Sequence, residues 1–268
     1  MVRSITDSGQ SSLQVCSKGQ WKPYLPPCIP LKRCLNYRVV GLVGHWRMDE
    51  QIGNEVADDS GYENHGSASN AVPKLSKYSR GRFFGSAGVI TVPNTAILNF
   101  GISSFSVLGW IKILDVTYPL TTFAVKKGNG CYFAANRSAG GSAGWNTGQG
   151  YQAKGLNVCI RDGQDKKANA MIAFDKGYQP AQLLRKWVHY AVVFDRKQKK
   201  RVVVYINGKR QSNTLDISAV QGSVDNDRPL KLGEIFDWKT KGTLDEYRVY
   251  NTALDEFEVG AVHKNHLV

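Results

Sequence analysis

The chain has 268 residues, 42% of them hydrophobic and 21% charged, an ordinary globular composition that excludes a wholly disordered protein. Lys and Arg number 35 against 22 acids, a formal charge of +13; such a field draws nucleic acid, acidic lipid or sulfated glycan without choosing among them. No apolar run reaches the roughly eighteen residues of a membrane-spanning helix, so no membrane insertion is expected.

Residues 1–37 stand apart. They carry Pro23, Pro26, Pro27 and Pro30, three of the five cysteines (Cys16, Cys28, Cys34) and almost no periodic apolar pattern, which reads as a small stapled module or a Pro-rich leader. The opening Met1-Val2-Arg3-Ser4 lacks the apolar core of a signal peptide. The five cysteines, with Cys131 and Cys159, fit no paired zinc spacing; disulfides are expected, with one thiol left over. The run Cys16-Ser-Lys-Gly-Gln-Trp21, followed by Leu25-Pro-Pro-Cys28, resembles the second half of a sushi (complement control) module, which implies a fragment of a longer protein. Cys16 bonded to Cys28 within a leader is the alternative.

From Leu42 onward the pattern changes to short alternating runs rich in β-branched and aromatic residues, separated by Gly, Asn and Asp clusters. Strands are expected at 42–48, 89–92, 105–113, 121–125, 155–161, 187–195, 202–206 and 244–250, and many short strands with turns between them mean a sandwich or barrel. Trp187, His189 and Ala191 alternate with Val188, Tyr190 and Val192, which pins the register of that strand. Asn207-Gly208 is a pair that tolerates positive φ and predicts a tight reversal. Trp46, Trp110 and Trp187 are expected in the core, and His189 as a hydrogen-bonded core histidine. One helix is predicted near the end, capped by Asp255 and Glu258 ahead of Phe257, Val259 and Val262, and packed on the sandwich rim.

Three segments resemble laminin-G-like and pentraxin-like jelly rolls of the concanavalin A class. Leu42-Val-Gly-His-Trp-Arg-Met-Asp-Glu50 with Asp59-Ser-Gly-Tyr-Glu-Asn-His-Gly66 is similar to their opening strand and first loop. Trp187-Val-His-Tyr-Ala-Val-Val-Phe-Asp195 with Val204-Tyr-Ile-Asn-Gly-Lys209 is similar to the long central hairpin. Leu244-Asp-Glu-Tyr-Arg-Val-Tyr-Asn-Thr-Ala-Leu254 is similar to the closing strand. The resemblance implies an all-β, concanavalin A-like antiparallel β-sandwich (jelly roll) with a short C-terminal helix over residues 38–268.

Laminarinase-type glucanases share that architecture, and retaining glycosidases need two carboxylates roughly 5 Å apart. Glu234-Ile-Phe-Asp237 has the wrong spacing, and neither Asp49-Glu50 nor Asp245-Glu246 completes the set. The expectation is therefore not an enzyme, with a glycoside hydrolase kept as an outside alternative.

Calcium is the stronger chemical expectation, since a hard cation takes loop carboxylates and carbonyls. Asp59, Asn64 and Asp245, joined by Glu50 or Asp49, resemble the structural calcium positions of some laminin-G-like domains. The alternative is an Asx-turn at Asp59 and amide hydrogen bonds at Asp245.

The densest basic run is Arg196-Lys-Gln-Lys-Lys-Arg201, at the tip of the central hairpin. Laminin-G-like domains often bind sulfated glycosaminoglycans, so Arg196, Lys197, Lys199, Lys200 and Arg201 form the candidate polyanion site, with a solvated turn as the bland alternative. Nucleic acid is disfavoured because no nucleic-acid fold accompanies the charge.

Cys131 and Cys159 lie on β-type segments joined by a Gly-rich stretch, which predicts a cross-strand disulfide. Asn136-Arg137-Ser138 is a glycosylation sequon between them. Together these features predict a secreted, extracellular, non-catalytic carbohydrate-binding or adhesion module for an anionic glycan. A structural adhesion domain with matrix-protein partners is the second reading.

Overall fold

The structure is a computed structural model. It describes residues 40–114, 155–178, 180–235, 238–239 and 242–264, with the backbone of strand segments 2–5, 12–17, 20–23, 120–122, 125–126 and 133–137. The first three strands, β1 (Val2–Ile5), β2 (Ser12–Ser17) and β3 (Gln20–Pro23), form a separate antiparallel sheet in the order β1-β2-β3. The expected bonding of Cys16, Cys28 and Cys34 falls outside the described residues.

Among the described residues that follow, the regular structure is mostly antiparallel strand. In order these are β4 (Leu42–Trp46), β5 (Glu55–Val56), β6 (Gly66–Leu75), β7 (Arg80–Val92), β8 (Phe105–Ile113), β9 (Leu120–Thr122) and β10 (Val125–Lys126). Next come β11 (Phe133–Arg137), β12 (Gly155–Arg161), β13 (Lys167–Ala173), a short helix α1 (Pro180–Leu183), β14 (Trp187–Asp195), β15 (Arg201–Ile206) and β16 (Lys209–Asp216). The closing elements are β17 (Leu230–Leu232), β18 (Glu234–Ile235), β19 (Trp238–Lys239), β20 (Gly242–Tyr250) and helix α2 (Glu256–His263). The main sheet runs β10-β17-β7-β20-β8-β14-β15-β16, with β4 on β20 and β6 on β7, and a second sheet runs β13-β12-β11-β9.

Period-two alternation explains the layering. Val188, Tyr190, Val192 and Phe194 of β14, with Val202, Val204 and Ile206 of β15, face a core shared with Leu156, Val158 and Ile160 of β12. Their neighbours Ala191, Val193, Val203 and Tyr205 face the other way, into a second apolar cluster that Leu254, Val259 and Val262 cover. Helix α2 therefore lies on the outer face of the main sheet and not on its rim, because that face is apolar there and needs a lid. The predicted cap is present: Asp255 Oδ1 accepts from the Glu258 amide at 2.8 Å, and Glu258 Oε2 accepts from the Asp255 amide at 2.9 Å. Phe257, expected inward, is 43% exposed.

Two local features position the hairpin β14–β15. Asn207 and Gly208 sit at φ +51° and +76°, which gives the tight turn into β16 that the sequence predicts. At the opposite end Phe105 stacks on Phe194 with centroids 4.3 Å apart, and Phe100 stacks on Phe105 at 4.6 Å. Fully buried side chains of this size each contribute roughly 1.5–3 kcal/mol, so the strand ends beneath the hairpin tip are firmly anchored.

Trp46 is wholly buried and Trp110 is buried, as expected, whereas Trp187 is only half-buried. His189 departs from expectation. Its ring packs against Trp110 at 5.3 Å and His263 at 5.4 Å, and its buried Nδ1 has no hydrogen-bond partner. Burial, followed by the charges of His263 and Arg248, holds its pKa well below the ordinary imidazole value, so it serves as a neutral aromatic filler.

Candidate functional site

The hairpin tip is built from the pair Asp195 and Arg201 that closes the β14–β15 ladder. Asp195 Oδ1 accepts from the Gln198 amide at 3.0 Å, and Lys200 takes the left-handed φ of +48° that lets the chain reverse. Lys197, Lys199 and Lys200 are exposed and Arg201 is half-buried.

Arg196 does not join them. It is 8% exposed, and its guanidinium donates to the carbonyls of Gly101 at 2.5 Å, Val220 at 3.2 Å and Gly222 at 2.5 Å. Its own amide donates to Ser104 Oγ at 3.0 Å. Asp162 supports the same junction, accepting from the amides of Gly222, Lys166 and Gln164. Burial alone would raise the Asp162 pKa, but those three amides and the Arg196 charge bring it below the ordinary value. Arg196 is thus withdrawn from the expected basic surface, because a bidentate fork aimed at three loop carbonyls cannot also face solvent.

Beside the tip lies a groove of ≈ 630 Å³ whose walls include Lys197, Lys199, Arg201, Arg210, Tyr205 and Thr252, a volume within the range of ligand pockets. Asp195, Asp255 and Glu256 also line it, but Asp195 accepts from Gln198 and Asp255 caps α2. Burial raises the Tyr205 pKa, with the Glu256 charge adding to it, so its hydroxyl stays neutral. Arg210 is the residue that sequence reasoning missed. It faces the groove because Tyr205 pairs with it after an irregularity in the β15–β16 register between Val203 and Tyr205, and nothing in the local pattern announces that irregularity.

The four residues expected to share a calcium do not fit one. Asp59 is exposed and pairs with Arg47 at 3.6 Å. Asn64 is buried, donating to the Val43 carbonyl at 2.9 Å and accepting from Thr95 at 2.6 Å. Glu50 accepts from the Ala57 amide and pairs with the buried Arg82 at 3.0 Å. Asp245 accepts at one oxygen from Ser76 Oγ at 2.8 Å and the amides of Lys77 and Tyr78 at 3.2 and 3.4 Å. Among the described residues no three His, Cys, Asp or Glu side chains converge on a metal position. The carboxylate that organises the first loop is Asp58, the neighbour of the one expected. It accepts from the amides of His45, Ser60 and Asn64.

Glu246 sits at a bulge in β20, at φ +51°, between His45 and Arg248. Its neighbour Asp245 is pushed up to about 7, chiefly by burial, while Glu246 is held below its ordinary value despite burial by His45, Arg248 and Arg47. A carboxylate pair with divergent pKa values is what acid–base chemistry uses. Here both are buried, at 1% and 6% exposure, and occupied by protein donors, so they tie β20 to β4 and to the 76–79 turn. Glu234 and Asp237 offer no side chain among the described residues. No helix among the described residues is long and apolar enough to cross a membrane.

Cys159 is disulfide-bonded and pairs in register with Phe133; Cys131 and the Asn136 side chain lie outside the described residues. No curated protein matches the sequence. Among solved structures, the binding domain of Paraclostridial Mosquitocidal Protein 1 is similar with a TM-score of 0.65 at 16% identity, covering 84% of this chain and 52% of that one. The binding domain of botulinum neurotoxin DC in complex with SialylT gives 0.60 at 14%, covering 85% and 52%. This chain thus spans about half the length of both toxin domains. Domain 4 of AbnA, an extracellular GH43 arabinanase from Geobacillus stearothermophilus in complex with arabinotriose, gives 0.53 at 18%, covering 83% and 98%. At such identities these likenesses bear on the fold alone. The sequence itself matches a family over residues 84–260, and the chain belongs to that family, the concanavalin A-like lectin/glucanases superfamily.

Proposed function

We propose that the sandwich is a non-catalytic carbohydrate-binding module that takes an anionic glycan, sulfated or carboxylated, in the groove beside the β14–β15 tip. The observation that carries this reading is the convergence of Lys197, Lys199, Arg201 and Arg210 on one cavity of ≈ 630 Å³. Each exposed charge pair contributes about 0–1 kcal/mol, so affinity comes from several at once, helped by the +13 field. The neutral Tyr205 ring and the Thr252 segment supply the apolar and hydrogen-bonding walls that orient a sugar. Two solved neighbours are a toxin binding domain in complex with SialylT and an arabinanase domain in complex with arabinotriose, which supports a sugar as ligand. An extracellular setting agrees with a disulfide at Cys159.

The test is retention on a heparin column, with glycan-array binding in low and high salt. Replacing Lys199, Arg201 and Arg210 together by alanine should bring elution to markedly lower salt. Unchanged elution would show that the basic residues are only a solvated turn.

A further inference from the structure

The groove that carries the proposed function is not alone at the tip. A second one, of ≈ 410 Å³, is lined by Lys199, Lys200, Arg201, Thr214, Asp216 and Ser218. Lys199 and Arg201 border both cavities.

The ladder shows how the two are arranged. Val202, Val204 and Ile206 point into the main core, so by alternation Arg201, Val203 and Tyr205 stand on the opposite face. Val203 and Tyr205 indeed belong to the outer cluster under α2. Arg201 pairs with Asp216 and Val203 with Thr214, and paired residues share a face. The two grooves therefore open on one face of the sheet. The first lies over β14, β15 and the Arg210 end of β16 toward the 251–256 segment, and the second lies over the start of β15 and the Asp216 end of the edge strand β16. From β14 to β16 there are two strand spacings of about 4.8 Å, or about 10 Å, more than one sugar ring occupies.

Arg201 is the ridge between them, since it lines both grooves, and its guanidinium fork suits an acidic group lying across it. The lining is also mixed. In the second groove Asp216 is held ionised by hydrogen bonds from the Ser218 amide and hydroxyl, and it can accept from sugar hydroxyls beside three cations.

We infer that the ligand is a linear, acidic oligosaccharide that crosses β14, β15 and β16, occupying both grooves and passing over Arg201. This rests on the carbohydrate reading above and adds to it. A terminal acidic sugar would fill one groove only, whereas this arrangement favours internal stretches of a chain.

Size-defined heparin-derived oligosaccharides, from disaccharide to octasaccharide, test it by calorimetry at constant low salt. Affinity should rise at least tenfold from disaccharide to hexasaccharide and then level off. Thr214→Trp places a large ring in the second groove from an exposed strand position and should return the hexasaccharide to the wild-type disaccharide affinity. Ser218→Trp fills the same groove from the following loop and serves if the first variant melts early. A gain from longer chains that survives both variants would be statistical and would overturn the crossing, as would affinity independent of length. Either result leaves an anionic-glycan groove standing. Wild-type protein that binds no oligosaccharide of any length would overturn both readings.

Discussion

Arg196 reaches forward along the chain to Gly222, donating from its guanidinium to that carbonyl at 2.5 Å, and so fastens the hairpin tip to the loop before β17. The same side chain serves Gly101 and Val220. Arg196→Ala would leave three carbonyls short of a donor, and a loss of about 2–4 kcal/mol is expected. Arg196→Lys should recover little of it, because one ammonium cannot reproduce the planar fork. By contrast Lys199→Ala and Lys200→Ala, at exposed positions, should stay within about 0.5 kcal/mol of wild type. Urea melts of the three classes check this, and an Arg196→Ala protein as stable as Lys199→Ala would refute the assignment.

Asp245 should make stability fall as pH rises. Burial first, then the charges of Glu246 and Asp49, push its pKa up to about 7 against the opposing bonds from Ser76 and Tyr78. A carboxyl raised in the folded state contributes its full stability below its unfolded pKa near 4 and loses it as pH climbs through about 7. Asp245→Asn keeps an acceptor for Ser76, Lys77 and Tyr78 but cannot ionise. The variant should match wild type near pH 4 and exceed it by roughly 2–4 kcal/mol above pH 7. Parallel stability curves across that range would show that Asp245 is not the group responsible.

The strands that were legible in the sequence are those whose two faces differ or are both apolar. Phe105–Ile113, Gly155–Arg161 and Trp187–Asp195 have the bounds their residue patterns predict. Lys209–Asp216, a polar strand, and Lys167–Ala173, whose Ala and Asn residues carry little strand propensity, were not visible; both lie at sheet margins, where propensity yields to pairing with a neighbour. The basic tip was legible as a charge run, but the fate of its members was not. Arg196 and Lys197 are adjacent in sequence, and only the positions of Gly101, Val220 and Gly222 decide that one is buried and the other exposed. The first loop shows the same limit. Asp58 and Asp59 are indistinguishable as letters, yet the isolated bridge between Trp46 and Asp58 turns the former inward.

The bond at Cys159 should join Cys131. Phe133 lies opposite Cys159 in the β11–β12 ladder, and Cys131 stands two residues before Phe133 in the sequence. A disulfide across a loop of this length contributes about 3–4 kcal/mol in the chain-entropy model. Mass spectrometry of an unreduced digest should yield a 131–159 linked peptide, and Cys131→Ser should lower stability by about that amount. A linked peptide joining Cys159 to Cys16, Cys28 or Cys34 would overturn the pairing.

Glu246 offers the sharpest stability test, because a buried carboxylate there holds the His45 imidazole and the Arg248 guanidinium at once. Its Oε2 lies 2.8 Å from His45 Nε2 and 2.7 Å from Arg248 Nη2, and Arg248 is itself only 5% exposed. Removing one member of a buried pair leaves the other charge uncompensated, typically at about 3–5 kcal/mol, whereas replacing both by apolar groups of similar volume is often close to neutral. Glu246→Ala should therefore destabilise by about 3–5 kcal/mol. Glu246→Met with Arg248→Met should destabilise by less than the sum of the two single changes, giving a coupling of about 1–3 kcal/mol between the sites. The effect should weaken in acid. Glu246 has a pKa below the ordinary value, so its contribution is present above the unfolded pKa and fades as pH falls through the lower folded value. Additive single and double changes in urea midpoints at neutral pH would mean that His45, Glu246 and Arg248 are neighbours without being a coupled unit, and the seam between β4 and β20 would have to be held by its ladder alone.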